Sequence, residues 1–186
     1  MAVFWEKGYE GASLDDLLAA MGGINPPSFY AAFGSKEKLF YEVVERYAKT
    51  LGSRPGRALE AGPGAREGVE AMLREAVAIF CSPDMPPGCV VILGAINCAP
   101  ANKPVQDYLR GFRAQIPDVI RKRLERGVTE GDIPSGVSLE PLVSFYATFF
   151  LGLPIRARDG ASRDELLLAV NGGMAAWDPL IGVTHQ

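Results

Sequence analysis

Between Phe4 and Phe40 the chain marks short helices in quick succession, with start and stop signals around each. An amphipathic opening stops at Gly8-Tyr9. Ser13-Leu14-Asp15-Asp16 reads as a capping box, in which Ser13 and Asp16 satisfy each other's amides. Gly22-Gly23 ends that helix. Asn25 is placed to cap the next, and Pro26 falls in its first turn, where a missing N–H costs nothing. About two turns follow before Gly34, and Gly34-Ser35-Lys36-Glu37 opens another helix. Small helices with such abrupt ends suit insertion into a DNA groove better than catalysis.

Strand signals are nearly absent; Val90-Val91-Ile92 is the one β-branched cluster, inside a run from Cys89 to Cys98 that also reads as a short apolar helix. Elsewhere apolar residues recur at helical spacing. Leu39, Phe40, Val43, Val44, Tyr47 and Leu51 line one face of a helix from Lys36 to Leu51, and Val69, Met72, Leu73, Ala76, Val77 and Phe80 line another from Ala65 to Cys81. Gly52 to Gly64, rich in Gly, Pro and Arg, reads as a loop and domain hinge. A long helix is expected from Lys103 to Glu130, kinked at Pro117. Arg121, Lys122, Arg123 and Arg126 near its end read as a solvated helix terminus rather than a phosphate patch.

The last two helices differ. Apolar side chains surround the segment from Ser138 to Arg156, and Ser162-Arg163-Asp164-Glu165 caps a final helix. A helix apolar all round must be covered on more than one side, and a second subunit is the expected cover. Tyr146, Phe150, Leu153, Leu166, Leu167, Val170 and Met174 are the expected dimer contacts.

Chemistry for catalysis is scarce. His185 is the lone histidine, and neither a Glu-x-x-His pair, a G-x-S-x-G motif nor a phosphate-binding glycine loop occurs. The reading is therefore not an enzyme, with no cofactor. Cys81, Cys89 and Cys98 are odd in number and lack CxxC spacing, so each reads as a small hydrophobe in a reducing cytoplasm. No uninterrupted apolar run approaches ~18 residues, which argues against a membrane partner.

Within the head, Ser13, Asn25, Pro26, Pro27, Ser28, Tyr30, Ala31 and Lys36 are the candidate DNA contacts. Helix N-termini present free amides to phosphate, Pro26, Pro27, Ser28 and Ala31 face the groove, and Tyr30 and Lys36 reach the backbone. Phe29 and Phe33, with Tyr9, Leu14, Leu17 and Leu18, are expected to be core. Farther on, Met72, Phe80, Asn97, Tyr108, Phe112, Phe145 and Phe149 are candidates for an internal, mostly apolar ligand pocket.

The ordered string Phe4, Gly8-Tyr9, Ser13-Leu14-Asp15-Asp16-Leu17, Ala20, Gly23-Ile24-Asn25, Ser28-Phe29-Tyr30, Phe33-Gly34-Ser35-Lys36-Glu37 and Leu39 resembles the TetR/AcrR family of bacterial one-component regulators. The resemblance implies an all-α homodimer. Residues 1–48 would be a helix-turn-helix DNA-binding head, and residues 49–186 an effector-binding and dimerisation domain ending in a two-helix contribution to the dimer bundle. It further implies a ligand-responsive repressor on a (pseudo)palindromic operator, released by a small hydrophobic or aromatic effector through a lever motion of the fourth helix. Two departures stand out. The family's fuller first helix and basic arm are replaced by a start at Met1-Ala2-Val3-Phe4, which implies a truncated start or weak DNA binding; and Gly22-Gly23 is one glycine longer than the usual turn. Met1 to Thr50 carries five cations against seven carboxylates. The alternative reading is a dimeric helical small-molecule-binding protein with weak or lost DNA binding.

Overall fold

The computed structural model describes residues 1–182; His185 lies outside them. Eleven α-helices are present among the described residues: α1 (Ala2–Gly11), α2 (Leu14–Ala20), α3 (Pro26–Phe33), α4 (Lys36–Lys49), α5 (Arg54–Ala61), α6 (Ala65–Phe80), α7 (Val90–Leu93), α8 (Lys103–Glu130), α9 (Glu140–Arg158), α10 (Arg163–Ala175) and α11 (Trp177–Leu180). No strand occurs among the described residues. The expected all-α architecture is therefore observed, and no described helix is long and apolar enough to cross a membrane.

Three expectations need correction. The Gly/Pro-rich stretch after α4 is not a loop: it forms a 3-10 turn over Leu51–Ser53 and then α5. Pro55 sits in the first turn of α5, where it lacks only an amide that the helix would leave unpaired, and fully buried Leu59 anchors the helix. Backbone closeness also requires glycine here, since a Cβ on Gly62 would lie 2.4 Å from the Gly68 backbone. Composition marked a break; packing against α6 made a helix. In the second case, the helix read over Cys89 to Cys98 shrinks to α7, because Cys89 is extended and the chain turns at Gly94.

A fully buried Arg123 also departs from the expected solvated terminus. Its guanidinium donates to the Gly62 carbonyl at 3.2 Å and faces Asp132 at 3.9 Å. Arg121 pairs with Glu140, and Arg126 with Glu60 at 2.6 Å. The cationic turn thus fastens α8 to α5 and α9.

One continuous apolar core runs from Phe4 to Trp177. α4 packs on α1 at two points seven residues apart along it: Phe40 meets the Phe4 and Tyr9 rings edge-on at 5.0 and 5.1 Å, while Tyr47 meets Trp5 at 5.0 Å. Three further ties hold α1 to the rest of the chain. α1 breaks at Gly8, whose φ of 69° is left-handed, and the Tyr9 amide leaves the helix to donate to the Gly94 carbonyl at 2.7 Å. The Glu10 carboxylate accepts from the Ala99 amide at 2.7 Å and the Asn102 side chain at 2.8 Å. Arg158 at the end of α9 donates to the Trp5 and Glu6 carbonyls, both at 2.6 Å, which would otherwise be left open where α1 breaks.

A Cβ on Gly8 would meet left-handed backbone strain and sit 3.1 Å from the Gly94 oxygen. Gly8→Ala should therefore lower stability by about 1–2 kcal/mol or more, read as a lower urea midpoint. An unchanged midpoint would show that this break is not a fixed part of the fold.

Candidate nucleic-acid interface and internal cavity

The turn between α2 and α3 explains the glycine pair. The Gly23 amide donates to the Leu18 carbonyl at 2.9 Å and the Gly22 amide to Ala19 at 3.1 Å, the two bonds of a Schellman close. Both glycines have positive φ, 81° and 76°. The first ends α2; the second turns the chain toward α3, a step that a residue with a Cβ resists.

Both ends of the motif are capped as the residue types require. Ser13 Oγ accepts from the Asp16 amide at 3.1 Å, and the Asp16 carboxylate accepts from the Ser13 amide at 2.9 Å. Asn25 Oδ1 accepts from the Ser28 amide at 2.9 Å, and Ser35 Oγ from the Lys38 amide at 3.0 Å. Phe29 is fully buried and pins α3 by its inner face. That leaves Pro26, Pro27, Ser28, Tyr30 and Ala31 exposed along the outer face, with Tyr30 50% accessible. Ser13 and Asn25 are exposed at the two N-termini. Phe33 and Leu14, expected in the core, are half-buried against it.

Lys36 is less free than its sequence position suggests. Its ammonium rests 4.5 Å from the centre of the Tyr9 ring, and partial burial lowers its pKa. Lys7 is also engaged, bonding Asp16 at 2.6 Å.

A cavity of about 280 Å³ lies between α4, α5, α6, α7, α8 and α9. Of the sequence candidates, Met72, Phe80 and Phe112 line it. Phe150, assigned to the subunit interface, lines it too. The others lie elsewhere. Asn97 is exposed beyond α7. Tyr108 donates to Glu45 at 2.8 Å and packs on Tyr41, with ring centres 4.4 Å apart. Phe145 and Phe149 stack on each other at 6.0 Å, and Phe149 lies against α10 at Gly173.

Sequence reasoning missed the rest of the wall, which includes Tyr47, Cys89, Val91, Ile92, Gln115 and Ile116, with Pro55 and Gly56 of α5 at one side. Tyr47 is on the apolar face of the helix read from Lys36 to Leu51, but periodicity cannot tell which part of a buried face borders empty space. Pro55 and Gly56 were hidden by the loop reading. The three cysteines are free, Cys89 buried and the other two half-buried. No cluster of metal-ligating side chains is present among the described residues.

The expected interface residues are likewise redistributed. Tyr146, Leu153, Leu166, Val170 and Met174 are enclosed in the chain's own core, and the Tyr146 hydroxyl donates to the Gly173 carbonyl at 3.1 Å. Leu167 is half-buried. The helical period turns a different set outward on α9 and α10, including Ile155 at 46% and Leu168 at 69% exposure, with Thr148, Gly172 and Ala175. The most apolar face went inward, where the monomer needed it.

The Lys7 bond, followed by the Ser13 amide, holds the Asp16 carboxyl down to about 2. A depressed folded pKa contributes stability above about pH 4, the ordinary carboxylate value, and loses it as the pH falls toward about 2. Carboxyl NMR titration should find this low midpoint, and Lys7→Met should raise it. An ordinary Asp16 midpoint in the parent chain would contradict the capped geometry.

Residues 1–43 match the family model described as "Bacterial regulatory proteins, tetR family". Over 182 residues the chain is 30% identical to the HTH-type transcriptional repressor ComR of Escherichia coli K12, covering 97% of this chain and 86% of that one. It is 28% identical over 165 residues to the repressor BdcR of the same organism, covering 88% and 78%. Among solved structures, a cysteine-substituted form of the TetR family transcriptional regulator CifR, complexed with 26 base pairs of double-strand operator DNA, superposes with a TM-score of 0.90 at 44% identity, covering 95% of this chain and 92% of that one. With its capped helix-turn-helix head and a relative of this identity along nearly its whole length, the chain belongs to the TetR family of bacterial transcriptional regulators.

Proposed function

We propose that this regulator is a cytoplasmic, ligand-responsive repressor that binds a (pseudo)palindromic operator as a homodimer and leaves it when a small apolar effector enters the cavity. The observation that carries the reading is the exposed outer face of α3, fixed by buried Phe29 and by caps at Asn25 and Ser35. Residues 1–48 form the head in this reading, and residues 49–186 the effector and dimer domain. The solved CifR complex with operator DNA supports the DNA partner.

Each contact has a role set by its position. Pro26, Pro27, Ser28 and Ala31 enter the major groove, where a small, uncharged surface reads shape and methyl groups beside hydrogen bonds. The Ser13 and Asn25 helix ends and the Tyr30 hydroxyl hold phosphates. Lys36 joins them once a phosphate draws its ammonium from the Tyr9 ring. Dimerisation covers the outward apolar strip of α9 and α10 that includes Ile155 and Leu168, in a four-helix arrangement. A second reading, a dimeric ligand-binding protein without operator recognition, is favoured by the excess of carboxylates in the head.

Fluorescence anisotropy with the DNA flanking its own gene separates the two. A repressor binds that duplex better than a scrambled one and loses affinity steeply as salt rises; equal binding to both duplexes, or none, leaves only the second reading. Tyr30→Ala should weaken binding about tenfold without altering the dimer, and an unchanged affinity would remove Tyr30 from the interface. Leu168→Glu should yield monomers in sedimentation velocity. A dimer that persists would place the interface elsewhere.

A further inference from the structure

The cavity wall contains no ionised side chain, and its polar members are few: the Tyr47 hydroxyl, the Cys89 thiol and Gln115, which is exposed on α8. Tyr47 is buried, and its hydroxyl donates to Cys89 Sγ at 3.3 Å. Sulfur is a weak acceptor, so a strong donor is kept in an apolar enclosure on a poor partner. An oxygen in the cavity would make the better bond. Burial keeps both groups protonated, since it raises the phenol and the thiol above their ordinary values. Arg113, near this wall on α8, donates to the Val91 carbonyl at 3.1 Å and is not part of the lining.

From this geometry we infer that Tyr47 is the specificity-determining anchor of the cavity, and that its ligand is a neutral, mainly apolar molecule bearing one acceptor oxygen, which takes over the Tyr47 hydrogen bond from Cys89. The inference rests on the reading of the cavity as the effector site. A cationic ligand is disfavoured because it would lose its water without meeting a counter-charge. The guanidinium nearest the wall, Arg113, is turned to the Val91 carbonyl rather than into the lining. The position of the anchor also matters. Tyr47 stands on α4, seven residues beyond Phe40, which packs against Phe4 and Tyr9 of the head. Its ring lies so close to Gly52 that a Cβ there would come within 2.9 Å of it. A ligand that pulls on this hydroxyl therefore acts on the helix that carries the DNA-reading unit.

Calorimetric titration of the full chain with acetophenone and ethylbenzene, which differ at one carbonyl, tests the anchor. In a cavity without a donor the hydrocarbon binds more tightly, because the ketone loses its hydrogen bonds to water. Tyr47→Phe should shift the ratio of the two affinities about tenfold toward ethylbenzene while leaving ethylbenzene binding nearly unchanged. Cys89→Ala removes the competing acceptor and should shift the ratio the other way, which keeps the test available even if the tyrosine variant fails to fold. Both probes binding with a ratio that neither substitution moves would overturn the anchor and leave the cavity reading intact. Failure of both probes to bind the parent chain would overturn the cavity as a ligand site, and the anchor with it.

Discussion

Burial along a single helix, α4, joins the head to the cavity. Its first turns close the DNA-reading head through Leu39, Phe40 and Val43, and its last complete turn places Tyr47 against Trp5 and the cavity. Each of these large side chains contributes about 1.5–3 kcal/mol by leaving water, and the contributions lie on one rigid rod. The head therefore has no separate core to retreat to. Whatever shifts α4 at the cavity end shifts the packing beneath α3.

A second set of contacts limits how α4 can move. The break of α1 at Gly8 turns the Tyr9 amide onto Gly94, and Arg158 closes the Trp5 and Glu6 carbonyls from the far end of α9. Val91 and Ile92, which line the cavity, lie three and two residues before Gly94. Cavity and head are thus joined twice, through α4 and through α7. Two routes that must move together favour discrete alternatives over gradual deformation, as packed cores generally do.

The parts of this architecture that were readable in the sequence are those fixed by local chemistry. Ser13, Asn25 and Ser162 announce helix starts because a capping oxygen needs only its own next turn. The bounds of α8 were equally local. α5 was not, because its stability comes from Leu59 and from the approach of Gly62 to Gly68, contacts that composition conceals. The cavity wall was readable only in part, for a related reason. Met72, Phe80 and Phe112 were evident as apolar candidates, but Phe145 and Phe149 are equally apolar and lie elsewhere, as do Asn97 and Tyr108. Interface residues were read from the strongest apolar faces, which folding turned inward; Ile155 and Leu168 were left outside.

If α4 couples the cavity to the head, a ligand at Tyr47 is felt at the outer face of α3. The most direct measurement is the affinity of the gene-flanking duplex with and without a saturating cavity ligand, paired with the affinity of that ligand with and without saturating duplex. Linkage requires the two effects to be equal in size. This coupling requires that ligand weaken the duplex and duplex weaken the ligand by the same factor, at least about fivefold. Affinities that do not change in either direction would show that ligand and DNA are bound independently, and would contradict it.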